Sequence, residues 1–538
     1  MSRESKAQSQ LLWISFAMFV AWVIAFCLQN WAGAYRAELS GYPDEPGHFI
    51  SSLMVRQYLL DGWWKQGPMQ FAEQYYVHYP RVAIGHWPPF LYLVQGVWML
   101  VFPPTIAAVL WLQALIQASV VGLLFWRLRQ DCGWLVVSVL SLVYLVLPES
   151  QRLSSQVMAE PLLGLLTLIA LLGIERFLLN RRWRWLGVFV FATTCAIFTK
   201  GSGLALLPVL FFVVVVRQDW NLLKSWKFWA AHAIIIAAYA PWHIYTWKMV
   251  QNGMDTAPLT EVIWMQTVGF LSIPSLLLGL PLVGLALVAG WAGLKDTGAG
   301  ILGLIGTITA LVVFVFHCAS PSGVETRRLY MMVPVLLLLI AWWTVAVPLR
   351  SWVVVGAAMV SLGMTYNKVE KPETGYRMLA KWLEGEIGAR AQAVFLSTGY
   401  GAEGMLIAEM GQLQAVPRMF LVRSSKLLSD SDWNGSNYRL RLQSVRELGE
   451  LLDSIPVRMV VLDQYTEGRT LRHIDLIEDL IQQHPEQWVL RKEFPVVDNL
   501  NRKHGWSRVY ERLGSELNEV KNLRVDLSRM LDRWVTPR

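Results

Sequence analysis

The stretch that decides the fold covers residues 42–89, opening YPDEPGHF (42–49) and ending in GHWPPFLYL (85–93). It separates the first long apolar run, 11–28, from the next, 90–102. Two spans can be joined by about four residues, whereas this connection has about fifty, a length that marks either function or disorder. Its Trp, Tyr and Pro content argues against disorder, because disordered segments are poor in aromatics. Asp44, Glu45, His48, His78, Arg81 and His86 all fall within it. The expectation is a catalytic first loop, residues 31–89, in a membrane enzyme.

The chain around that loop has 538 residues, 54% of them hydrophobic and only 16% charged, with a mean hydropathy of +0.39. A soluble chain would carry roughly 25% charge. That deficit, with repeated apolar runs of about 20 residues, predicts a polytopic helical membrane protein. The net charge of +8 reflects arginines and lysines in cytoplasmic loops, so nucleic acid is not implied. Cys27, Cys132, Cys195 and Cys318 lie in or beside apolar runs and form neither a disulfide framework nor a CxxC metal signature. No small-residue cleavage pattern follows run 11–28, which predicts a retained first span.

Basic loops set the orientation. Arg3 and Lys6 place the N-terminus in the cytoplasm, so the first span delivers Asp44 to the far side. NRRWRWLG (180–187) must be a cytoplasmic turn between runs 161–179 and 185–199, which puts Glu160 and Lys200 on the same far side as Asp44. Runs 204–216, 228–247, 271–294, 301–318, 330–347 and 352–366 then bring His243, His317, Glu325, Arg327 and Arg328 to that side. Three runs lie between 89 and 160, where two crossings are needed. The first, 90–102, is short and precedes Pro103-Pro104, so it reads as re-entrant or surface-lying. About eleven crossings follow, with twelve or thirteen as alternatives, in a transmembrane domain 1–366.

Residues 367–512 alternate helical and strand patterns, with strands at AVFLST (393–398), RMFLV (418–422) and VRMVVLD (457–463) and a final pair at WVLRKEF (488–494) and WSRVYER (506–512). This predicts an extracytoplasmic α/β domain with a mainly parallel sheet. Residues 513–538 read as a charged amphipathic helix. GYGAEG (399–404) fits G-x-G-x-x-G after a strand, but Arg423 stands after the next strand where a dinucleotide site needs an acid, so it reads as a tight strand-to-helix turn.

The chemistry-bearing residues come in an ordered series. The Asp44-Glu45 pair follows the first span and Trp87-Pro88-Pro89 precedes the next; Glu160 stands in MAEPLLG (158–164), Lys200 in FTKGSGLALLP (198–208), and RRLYMMVP (327–334) leads a later run. Over residues 10–350 this series resembles the GT-C glycosyltransferases of the protein O-mannosyltransferase and lipid A aminoarabinose transferase superfamily. The resemblance implies transfer of a sugar from a polyprenyl-phosphate carrier to a lipid, glycan or protein acceptor, on the extracytoplasmic face of a bacterial inner membrane. Two positions depart from the pattern. Trp87, with His86 before it, stands where many relatives have a basic residue, and Pro46-Gly47-His48 follows the acidic pair where aminoarabinose transferases tend to have Arg and Tyr. The identity of the sugar is therefore not carried over.

Displacing a polyprenyl phosphate from an anomeric carbon needs a base for the acceptor hydroxyl and cations for the leaving phosphate. The expected base is Asp44 with Glu45 beside it, while Glu160 orients acceptor or sugar, or holds a divalent metal if one is used. Lys200, Arg327, Arg328 and Tyr330 are expected at the donor phosphate, and His48, Arg81, His86 and Trp87 along the substrate loop. The donor is already activated, so no nucleotide is required. His48, His78 and His86 have spacings that match no pair of metal ligands on a helix or strand. The rival reading, a transporter or flippase for a lipid-linked sugar or small anion, would place charges at mid-membrane in broken helices.

Overall fold

A computed structural model describes residues 3–536 except 130, 252–257, 296–299, 321–322, 346, 348, 388–391, 400, 431–437, 456, 466–470, 499–501, 515–524 and 527–533. Among the described residues six helices are long and apolar enough to cross a membrane: Gln10–Trp31, Ile106–Leu128, Glu160–Asn180, Thr260–Leu278, Ile301–Ala319 and Thr326–Thr344. A seventh candidate is the pair Trp134–Val146 and Pro148–Ser154, bent by 59° where Pro148 interrupts the backbone ladder. Shorter apolar helices, Phe90–Val101, Trp183–Thr199, Gly201–Val216, Leu280–Lys295 and Leu349–Thr365, fill out the bundle. The chain is a polytopic helical membrane protein with a sheet-containing C-terminal domain.

One detail of the span reading changes. Residues 271–294, read as one run, belong to two helices, Leu259–Leu278 and Leu280–Lys295. They break at Gly279, whose φ of +77° is open to glycine; a Cβ there would also lie 2.9 Å from Ser361. Phe90–Val101, with 12 residues, reaches about 18 Å at 1.5 Å per residue, well short of a bilayer core of about 30 Å.

The long first loop is ordered and helical. Glu45–Gln57 begins at Asp44, with Pro46 and Glu45 in its first turn, both favoured at a helix start. A π-helical turn at Tyr58–Gly62 follows, then Pro68–His78. Phe49, Ile50, Leu53, Tyr79 and Val82 of this loop share one hydrophobic core with Leu379, Met405 and Leu406 of the C-terminal domain. The fit is close: a Cβ on Gly411 would meet the Ile50 side chain at 2.5 Å.

The C-terminal domain carries strands β1 (Ala393–Ser397), β2 (Phe420–Arg423), β5 (Val457–Tyr465), β6 (Trp488–Val497) and β7 (His504–Arg512) in the order β2-β1-β5-β7-β6. Two-residue pairs β3 (Ser429–Asp430) with β4 (Arg439–Leu440), and β8 (Val525–Asp526) with β9 (Trp534–Val535), lie apart from it. β2, β1 and β5 are parallel, but β7 runs antiparallel to both β5 and β6. The sheet is thus mixed rather than mainly parallel, because the short connection from β6 to β7 leaves no room for a crossover. The helix expected over 513–538 lies largely outside the described residues, and the described β8 and β9 form an antiparallel ladder in its place.

Candidate active site

Asp44 is the N-cap of Glu45–Gln57, yet its side chain makes no capping bond. Its carboxylate is left to face Arg327, which donates from Nη1 to Asp44 Oδ2 at 3.2 Å. The same Nη1 lies 3.4 Å from Oε1 of Glu160, the first residue of its helix. Lys200, set where Trp183–Thr199 ends and a 3₁₀ turn begins, donates to that Oε1 at 2.5 Å. Four side chains from distant parts of the sequence thus meet in one charged cluster. Glu160 is its floor, with a side chain 2% exposed, whereas Asp44 at 16% and Lys200 at 26% face the open side. The second Glu160 oxygen is buried and has no hydrogen-bond partner among the described residues.

Three residues complete the cluster. Glu325 accepts from Arg327 Nε at 2.5 Å and from the Tyr42 hydroxyl at 3.1 Å. Arg327 donates to that hydroxyl at 2.8 Å and stacks 4.0 Å over the Tyr42 ring. Arg328 reaches the other Glu325 oxygen at 3.5 Å. Burial pushes the Glu325 carboxyl up, but its hydrogen bond and charge contact with Arg327 outweigh that and hold it below the usual carboxylate range. Burial likewise pushes the Tyr42 phenol up to about 12, against the pull of Arg327. Lys200 is lowered by burial, with Glu160 opposing.

Three expected site residues are placed differently. Glu45 does not join Asp44 in the charged cluster; its side chain is fully buried and holds four donors. It accepts from the backbone N–H groups of Gly41 (2.8 Å), Tyr42 (3.0 Å) and Val157 (3.0 Å) and from Lys371 Nζ (2.8 Å). Tyr330 bonds to partners other than those of the charged cluster. Its hydroxyl lies within the bundle, 3.0 Å from Gln117 Nε2 and 3.1 Å from both Tyr144 Oη and Ser150 Oγ. Arg81 turns toward the C-terminal domain, donating to the Pro43 carbonyl and lying against Gly404.

The remaining loop residues form one wall. His48 Nδ1 is 3.0 Å from the Tyr92 hydroxyl and its ring lies 4.3 Å from that of Trp87, which in turn meets His86 edge-on at 5.5 Å. The two departures from the resembled pattern, at Trp87 and at His48, therefore touch each other. Burial pushes both His48 and His86 down to about 4, so both rings are neutral at neutral pH. His78 lies apart, stacked 4.2 Å from Phe420. Among the described residues no three His, Cys, Asp or Glu side chains gather as a metal site. The sequence reading did not single out Tyr42 or Lys371, whose neighbours in sequence carry no signal of their distant partners. GYGAEG is a strand-to-helix turn in which Glu403 is held by Arg423 at 2.7 Å, with Tyr400 outside the described residues.

No protein-family model matches the sequence, and no curated protein does either. Solved structures do match. ArnT from Cupriavidus metallidurans bound to undecaprenyl phosphate has 15% sequence identity and a TM-score of 0.55, covering 92% of this chain and 98% of that one. ArnT from the same organism in the apo state has 14% identity and a TM-score of 0.57, covering 93% and 98%. At that identity the likeness shows the fold alone: over nearly the full length of both chains, this chain has the GT-C fold of these two structures.

Proposed function

We propose that this chain is an integral membrane glycosyltransferase that moves a sugar from a polyprenyl-phosphate donor to a hydroxyl acceptor outside the cytoplasm, in a bacterial inner membrane. The observation that carries the reading is the meeting of Asp44, Glu160, Lys200 and Arg327 at span and loop ends. In this reading Asp44 takes the proton of the acceptor hydroxyl as its oxygen bonds to the anomeric carbon. The bond from that carbon to the phosphate oxygen breaks, and the electron pair leaves with the polyprenyl phosphate. Lys200 and Arg328 stabilise that phosphate; the planar fork of an arginine suits its oxygens. Direct attack inverts the anomeric centre.

Arg327 has a different part. With Asp44, Glu160 and Glu325 all within reach, its charge helps to hold the Glu325 carboxyl below the usual carboxylate range and sets Asp44 beside the substrate. The unpartnered Glu160 oxygen is suited to accept a hydroxyl of the sugar or acceptor. ArnT was solved with undecaprenyl phosphate bound, which supports a lipid-phosphate carrier for a chain of this fold. The sugar and the acceptor are set by the His48, His86 and Trp87 wall, and that wall differs from the resembled pattern.

The test is reconstitution of the purified chain in proteoliposomes with a radiolabelled pool of polyprenyl-phosphate sugars and an envelope extract as acceptor source. Label passing to acceptor, with release of free polyprenyl phosphate, is expected. Lipid-linked sugar crossing the bilayer with no transfer would replace this reading with the flippase.

A further inference from the structure

The loop that follows the first span and the tether that follows the last one are joined residue by residue. Lys371 Nζ donates to Glu45 Oε2 at 2.8 Å and to the Ser155 carbonyl at 3.2 Å, and its backbone N–H donates to Ala32 at 2.8 Å. Ser40 Oγ donates to the Pro372 carbonyl at 2.7 Å. Glu38, 3% exposed, accepts the backbone N–H groups of Thr374 (2.7 Å), Gly375 (3.1 Å) and Arg377 (3.1 Å). Arg377 returns hydrogen bonds to the carbonyls of Arg36 and Ala37 at 2.8 and 2.9 Å.

Such a set of contacts exceeds what is needed to attach a domain. Glu45 and Lys371 are both almost wholly buried, with side chains 0% and 3% exposed. Two charges are taken out of water only where their partners are fixed. The oxygens of Glu45 hold the N–H groups of Gly41 and Tyr42, the two residues that lead into Pro43 and Asp44. Tyr42 in turn touches Arg327 and Glu325. From Lys371 the path to Asp44 is therefore one ion pair, two backbone hydrogen bonds and two residues of chain.

We infer that the tether of the C-terminal domain, through Lys371 and its buried pair with Glu45, is a positioning clamp that sets the Gly41–Asp44 turn for the transfer reaction. This rests on the glycosyltransferase reading, but the clamp itself is observable without any transfer. Lys371 and Glu45 are positioning residues, since neither faces the charged cluster. The C-terminal domain thereby acquires a role in catalysis: a shift of its first helix relative to the bundle is passed on to Asp44. A misplacement of about 1 Å in a catalytic group can cost about a hundredfold in rate.

The experiment compares the full-length chain with Lys371→Met, Lys371→Arg and Glu45→Gln, first by hydrogen exchange of the amides and then by sugar transfer. Lys371→Met is expected to raise exchange at least tenfold in a peptide spanning residues 39–48 and to leave peptides of β1 and β5 unchanged. Transfer should fall at least tenfold in kcat with KM for the labelled donor pool unchanged, and Lys371→Arg should restore both. Glu45→Gln carries the same test should Lys371→Met fail to accumulate. Unchanged exchange at 39–48 would overturn the clamp, as would loosened exchange with unchanged kcat. Loosened exchange in a chain whose wild type transfers no sugar would instead overturn the functional reading and leave the clamp standing.

Discussion

Arg327 donates to Asp44 at 3.2 Å across 283 residues of sequence. This contact ties the loop after the first span to the RRLYMMVP segment near the end of the membrane domain, and it makes the base of the proposed reaction depend on a residue that need not touch the sugar. Arg327→Ala should lower transfer by two to three orders of magnitude (about 3–4 kcal/mol in barrier) and weaken donor binding far less. Arg327→Lys, which keeps the charge but not the fork, should recover only part of the loss. Steady-state kinetics with the labelled donor pool measures both, and a loss confined to KM would place Arg327 on the phosphate.

Lys200→Met tests the floor of the cluster. Glu160 has a side chain only 2% exposed and would be left with the longer contact to Arg327. Removing one partner of a buried pair leaves an uncompensated charge and costs about 3 kcal/mol. A lower Tm in detergent is expected, together with weaker binding of undecaprenyl phosphate. The double variant Lys200→Met with Glu160→Gln should regain stability without regaining activity.

The pH dependence of stability has a definite sign. Burial lowers His48 from 6.5 to about 4, so between those values the unfolded chain binds a proton that the fold does not. Stability due to His48 is fully present above pH 6.5, falls by about 3 kcal/mol as pH drops to 4, and is flat below. His86, also pushed down to about 4 by burial, acts with the same sign. His48→Gln should therefore make the acid limb of a Tm-versus-pH curve shallower, and an unchanged limb would mean that the His48 ring is protonated in place.

Tyr330→Phe should separate the observed position of that residue from the expected one. Its hydroxyl serves Gln117, Tyr144 and Ser150 inside the bundle. Losing it should cost about 1–2 kcal/mol of stability through the partners left unpaired, with KM for the donor unchanged. A raised KM would return Tyr330 to the phosphate.

The apolar runs were legible because a helix that crosses lipid must be apolar along its whole length, and that constraint is local. Gly279 escaped notice because a glycine within an apolar run does not reveal its φ. The charged cluster could be read from Asp44, Glu160, Lys200 and Arg327 because acids and bases at span ends are few and topology brings them to one face. Glu45 parts from Asp44 because adjacency in sequence says nothing of direction: at the start of a helix, successive side chains point apart, and Glu45 points to Lys371, 326 residues on. Tyr330 parts from its arginine neighbours for the same reason. The pairing of the first loop with the tether has no sequence signal, being built largely from backbone groups that every residue carries.

The central claim is that Asp44 is the base. The most direct test is sugar transfer in membranes by wild type and by Asp44→Asn, with expression and undecaprenyl phosphate binding measured alongside. The substitution keeps size and removes the basic carboxylate. Loss of product with expression and lipid binding retained is the expected result, and equal transfer by both chains would contradict it.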